Sequence, residues 1–197
     1  MDLASLQTHE LGVTWVIDER FARASHALAD GGRVWLVDPV DEPSAMEKVA
    51  ELGEPAAVQQ LLDRHARDSA AVASRLGVPH VVLPDALPDT PFQVVPVVSW
   101  RRWKEVALWW PEREALIVAE AVGTPPMFAL GTGPVGVHPG LRLTPPRVLA
   151  GYRPSHLLVG HGPPREGSQT ADELAAALAR SRRDIPRMLV KLPRMGK

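Results

Sequence analysis

No cysteine occurs in the 197 residues. That absence excludes disulfides, thiol nucleophiles and thiolate-bound zinc, and it removes any direct mark of redox compartment. Long apolar runs are lacking too, so no segment reaches the length of a membrane helix. The opening Met1 to Gly12 carries Asp2, His9 and Glu10, with neither a basic start nor an apolar centre, which is not a signal peptide. The expectation is a cytoplasmic protein with no membrane partner. Neither sign of charge dominates, with 22 basic residues against 23 acidic ones and a net charge of -1. The charge is uneven, however: from Arg180 to Lys197 seven basic residues meet one acid, a local +6 against -7 elsewhere. This reads as basic residues at the end of a helix followed by a solvated basic tail from about residue 184. No aromatic residue interleaves with that tail, which argues against a nucleic-acid partner.

What is present fits one globular domain over residues 1–197. An apolar share of 45% with 23% charged is ordinary for a packed chain. Twenty prolines are about twice the usual share, which implies short connections with fixed turns. Val13 to Ile17 and Arg33 to Val40 read as strands with Trp15 and Trp35 in the core. Ser44 and Glu47 form a capping box for a helix through Leu52, with Met46, Val49 and Ala50 as its apolar face. Val78 to Leu83 is a further strand. Phe92 to Val98 and Glu105 to Trp110 read as a hairpin across an Arg-rich connection, with Glu114 to Glu120 next. Gly123 to Pro146 reads as loop, and a short helix follows near Arg147 to Tyr152. His156 to Gly160 is the last strand, and Thr170 with Glu173 is a second capping box, for a helix that buries Leu174, Ala177 and Leu178.

The stretch around which these pieces are organised is Leu61 to Ala70, LLDRHARDSA. An apolar strand end precedes it, and Ala70, Val72, Ala73 and Leu76 continue at helical spacing until Gly77 and Pro79. A strand-to-helix turn in an open α/β sheet borders the crevice where ligands collect, which would direct Asp63, His65, Arg67 and Asp68 into a cleft. A plainer reading stands beside it. Asp68 or Ser69 serves as an N-cap, Asp63 ends a strand, and His65 is solvated.

The order of elements resembles the metallo-β-lactamase fold family from about Leu11 to Arg165. One signature of that family is a strand ending in Asp, here Val34 to Asp38. Another is a strand followed by His-x-His-x-Asp-His, whose register falls on Asp63, His65, Arg67 and Asp68, where His65 alone keeps the family's residue. The family's third His has no counterpart in VPVVSWRRW (Val95 to Trp103), a later strand ends in Glu120 instead of Asp, and the last one ends in His161 between two glycines. The resemblance implies an α/β fold, an αβ/βα sandwich of two mixed sheets with helices on the outer faces. It implies metal ligands among His65, Asp68, Glu120 and His161, with Asp63 as a further candidate, and a cleft bordered by Asp38, Asp63, Arg67, Trp100 and Trp103. His9, His26, His80, His138 and His156 read as surface or satisfied core residues.

Arg67 stands where the family has an acid that helps to hold a second ion. Two unit charges about 4 Å apart interact by about 4 kcal/mol at an effective dielectric near 20, and a divalent ion beside Arg67 doubles that repulsion. The expectation is therefore that Arg67 replaces an ion and pairs with Asp63, Asp68 or Glu120. Trp100 to Trp103 could stack on a ligand or simply pack as a hairpin with exposed arginines. Two functional readings follow. One is a non-catalytic relative without a cofactor that binds a small molecule or a protein partner in the cleft. The other is a hydrolase of an ester, amide or thioester that uses one divalent metal, with zinc, manganese or iron all compatible with an oxygen-rich set.

Overall fold

In the computed structural model, which describes residues 2–191, thirteen strands and five α-helices are arranged in two main sheets. The chain opens with β1 (Leu3–His9), β2 (Gly12–Ile17), β3 (Ala24–Asp30) and β4 (Arg33–Val37), an antiparallel series. Helix α1 (Pro43–Leu52) then leads to β5 (Glu54–Gln60), and α2 (Ser69–Leu76) leads to β6 (His80–Val82). Each of these helices acts as a crossover, so β5 and β6 join β4 in parallel and complete a six-stranded sheet in chain order.

The second sheet begins with the hairpin β7 (Gln93–Trp100) and β8 (Trp103–Trp110), followed by β9 (Ala115–Val118). A short ladder, β10 (Val122–Gly123) with β11 (Gly136–Val137), encloses α3 (Pro126–Ala129). After it come β12 (His156–Val159), parallel to β9, and β13 (Arg165–Glu166), then α4 (Thr170–Arg180) and α5 (Ile185–Lys191). The sheet order is β13-β12-β9-β8-β7, so both sheets are mixed.

Alternation along β4 explains the layering. Trp35 and Val37 face the core between the sheets, while Val34 and Leu36 face a second cluster with Ala45 and Val49 of α1 and Val72 and Ala73 of α2. Trp35 packs edge-on to Phe92, and Phe92 to Trp110, at 5.4 and 5.3 Å between ring centres, which ties the two sheets together. Among the described residues no helix is long and apolar enough to cross a membrane.

Several local expectations need correction. The cap of α1 is Glu42, whose carboxylate accepts from Ala45 N at 2.7 Å, so the helix starts two residues earlier than a Ser44 cap would allow, and Ala50 is exposed. Thr170 does not cap α4: its hydroxyl is buried without a partner, and Glu173 pairs instead with Arg165 at 2.8 Å. Strands β1 and β3 escaped the sequence reading because β1 is a mostly exposed edge and β3, ASHALAD, is built of small and polar residues. The basic segment from about 184 continues as α5 up to Lys191, with Lys191 Nζ donating to Leu130 O at 2.8 Å; residues 192–197 of that tail lie outside the described residues.

A directional hydrogen-bond chain runs beneath the sheet ends. Val159 O can only accept, so His26 donates through Nε2 at 3.1 Å and its Nδ1 accepts from Thr14 Oγ1 at 2.8 Å. Thr14 in turn accepts from His9 Nε2 at 2.9 Å. Burial lowers the pKa of His26 to about 3. The unfolded state thus binds a proton that the folded state refuses, and the stability from keeping His26 neutral is present above about 6.5 and lost as pH falls toward 3. Comparing urea-derived stability of the wild type and His26→Gln over that window is expected to show the wild type falling more steeply, by up to roughly 1.4 kcal/mol per pH unit. Parallel slopes would contradict this.

Candidate metal centre

Four strand ends open on the same edge of the sandwich. Asp38 follows β4, the 61–68 turn follows the parallel β5, Glu120 lies just beyond β9, and His161 lies just beyond the parallel β12. Chain directions alone therefore bring distant residues together at the carboxyl ends of strands, where α/β sheets place their ligands.

One donor atom from each of His65, Glu120 and His161 lies within 4.8 Å of the other two. The two imidazoles are buried, with relative exposures of 7% and 6%. His161 Nδ1 lies 2.8 Å from Phe21 O, which can only accept, so this nitrogen carries the proton. His65 Nδ1 lies 3.0 Å from Asp38 Oδ2, and the carboxylate fixes the same tautomer there. Both Nε2 atoms are thus left as acceptors, and they face each other at 3.3 Å. Two lone pairs in contact repel unless a cation lies between or beside them. Burial and the neighbouring His65 lower the pKa of His161 to about 4, which disfavours a proton on its Nε2. Glu120 Oε1 adds negative charge 3.8 Å from His161 Nε2. This two-nitrogen, one-carboxylate set fits a divalent transition metal.

Asp38 orients the site instead of joining it. Its Oδ1 accepts from Leu61 N at 3.0 Å while Oδ2 holds His65, and its own backbone is left-handed with φ 44°. The structure does not gather Asp63 or Asp68 with the trio. Asp63 is exposed and accepts from Lys104 N at 3.0 Å, and Asp68 accepts from Asp41 N at 2.9 Å. Asp68 occupies the N-cap position of α2 without capping through its side chain.

Arg67 does lie at the site, yet it pairs with no carboxylate among the described residues. Its guanidinium donates to Ala24 O at 2.5 Å, Asp38 O at 2.7 Å and Gly160 O at 2.9 Å. The expected salt bridges to Asp63, Asp68 or Glu120 are replaced by a clamp on three backbone carbonyls, drawn from the ends of three strands. The partner of Glu120 is Arg64, at 2.7 Å to Oε2. Burial lowers the pKa of Arg67, and the nearby Asp38 opposes that shift.

Three further residues border the site: His138, which the sequence reading placed among surface or satisfied core residues, and Glu105 and Arg64, to which it gave no role. His138, in the Gly/Pro-rich segment, points Nε2 at Glu120 Oε1 from 3.7 Å while its Nδ1 accepts from Gly140 N at 3.0 Å, so it presents an N–H to the carboxylate. Glu105 is buried on β8 and accepts from the N–H groups of Glu120 and Ala121, both at 2.8 Å. Desolvation raises its pKa to about 7. Arg64 lies 4.0 Å over the Trp103 ring. Of the tryptophans expected at the cleft, Trp103 is buried against His138 and Trp100 is 46% exposed at the hairpin tip, paired in register with Trp103.

Gly160 is fixed by contact. A Cβ there would lie 2.1 Å from Ala119 O and 3.2 Å from His65 Cε1. Gly160→Ala is expected to cost roughly 1–3 kcal/mol by overpacking and to displace His65, read as a lower Tm with weaker metal uptake. Unchanged values of both would refute the close approach.

No family model matches the chain, and no curated protein matches it. Solved structures do. DIM-1 metallo-β-lactamase exposed to ceftazidime aligns with a TM-score of 0.62 at 13% identity, over 93% of this chain and 97% of that one. VMB-1 aligns at 0.63 and 10% identity, over 91% and 96%. TTHA1623 in a di-iron-bound form aligns at 0.54 and 18% identity, over 80% and 94%. The chain therefore has the metallo-β-lactamase fold, and identities this low carry the fold alone.

Proposed function

We propose that this metallo-β-lactamase-fold chain holds one divalent metal, at His65, Glu120 and His161, and hydrolyses a carbonyl substrate of the ester, amide or thioester class. The observation that carries the reading is the pair of Nε2 acceptors facing each other at 3.3 Å, both locked in that tautomer. The remaining residues favour one ion over two. Asp63 and Asp68 are engaged elsewhere, and the guanidinium of Arg67 fills the space between the strand ends. Bound there, a divalent ion supplies Lewis acidity and a lowered pKa for water. The chain's own part is to hold it: Asp38 and Phe21 O set the two rings, and Arg64 leaves Oε1 of Glu120 free by taking Oε2. His138 turns its Nε2 toward Glu120 Oε1 from 3.7 Å, beyond hydrogen-bond distance, so that oxygen stays unclaimed.

The test is hydrolysis of p-nitrophenyl acetate, a thioester and a chromogenic β-lactam by protein loaded with zinc, manganese or iron. The expected result is turnover of at least one, abolished by chelation and by His65→Ala. A second reading, a non-catalytic binder in the same cleft, is favoured by the Arg64–Glu120 ion pair and by the burial of both histidines. One bound metal without turnover across the panel would select it.

A further inference from the structure

We propose that Glu105, Trp103 and Arg64 form a closed positioning ring that aims the carboxylate of Glu120, with Glu105 as the member that joins its two ends; the inference rests on the metal reading above.

The ring can be followed contact by contact. Glu105 Oε1 accepts from Glu120 N at 2.8 Å and from Ala121 N at 2.8 Å. Its Oε2 accepts from Trp103 Nε1 at 3.0 Å. The Trp103 ring carries the Arg64 guanidinium at 4.0 Å. Arg64 closes the circuit on Glu120 Oε2, through Nη2 at 2.7 Å and Nε at 3.1 Å. Glu120 is thereby held at its backbone and at one oxygen, and only Oε1 stays free to face the histidines, 3.8 Å from His161 Nε2.

Burial makes the arrangement costly without a role. Glu105 is 1% exposed among apolar neighbours of β8 and β9, and its oxygens accept from Trp103 Nε1 and from the N–H groups of Glu120 and Ala121. Glu120 and Ala121 lie past the end of β9, where the ladder no longer supplies acceptors for their N–H groups. The same segment of β8 reaches the His65 turn, through Val106 N to Leu61 O at 2.9 Å. Glu105 therefore couples the two loops that bring ligands while touching none of the three donor atoms, which makes it a positioning residue.

Glu105→Gln separates this role from mere folding. The amide oxygen can keep both backbone N–H groups, but the amide NH2 then opposes Trp103 Nε1–H, donor against donor, and the ring opens at Trp103. The experiment titrates purified wild type and variants with Co2+, reading affinity by chelator competition and ligand geometry by the visible absorption spectrum. Expected are a far-UV circular dichroism spectrum like that of the wild type, a Kd raised by roughly 10–100-fold and an altered visible spectrum for Glu105→Gln. Trp103→Phe, which keeps an aromatic face for Arg64 and removes only the N–H, is expected to shift in the same direction by less, and it serves as the test if Glu105→Gln does not fold. Wild-type affinity and spectrum in the folded variants would overturn the ring while leaving the metal reading intact. A wild type that takes up no Co2+ would overturn both.

Discussion

Replacing His65 and His161 together with alanine is expected to lower affinity for zinc or manganese by at least about 1,000-fold. Loss of a single outer partner of a metal ligand costs roughly 10–100-fold, and here two of three ligands disappear. The stability consequence is separable. A bound ion stabilises only the folded chain, by an amount that grows with the logarithm of its concentration over Kd, so the wild-type Tm should climb with added metal and that of the double variant should not. In metal-free buffer the two proteins should melt close together, because the alanines give up the bonds to Asp38 and Phe21 O but also relieve the Nε2 contact. Equal metal-induced shifts in both proteins would show that the ion binds elsewhere.

Arg67→Met is expected to be the most destabilising single change at the site, at roughly 3–5 kcal/mol. The guanidinium is the shared donor to the carbonyls of Ala24, Asp38 and Gly160, and each buried acceptor left unmade costs about 1–3 kcal/mol, non-additively. Arg67→Lys should recover little of this, since one ammonium cannot reproduce a planar fork aimed at three acceptors. Urea unfolding measures both variants. A loss under about 1 kcal/mol for Arg67→Met, or full rescue by lysine, would reduce Arg67 to a surface charge.

Much of the site was legible because strand ends are legible. Asp38, His65, Glu120 and His161 each follow an apolar run, and the ends of parallel strands must share an edge. The fold could be read for the same reason, from the order of apolar runs and turn residues. Arg67 lies beside the trio, but not with the partners expected of it. Its charge suggested carboxylate partners, whereas its acceptors are backbone carbonyls, which no residue letter encodes. His138 was hidden because the segment Gly123 to Pro146 has no periodicity to place it, and its position depends on the two-residue β10–β11 ladder. Glu105 was read only as the start of a strand, and its burial follows from a contact no local pattern shows, the acceptance of the Glu120 and Ala121 N–H groups. Tertiary demand overrode the local pattern in each case.

The most direct test of the account is the metal content of untagged protein that has been offered zinc, manganese and iron in turn and then desalted, measured by elemental mass spectrometry. Close to one equivalent of a single metal is expected in the wild type and none in the His65→Ala, His161→Ala double variant. Folded wild-type protein free of metal after all three, or carrying two equivalents, would contradict it.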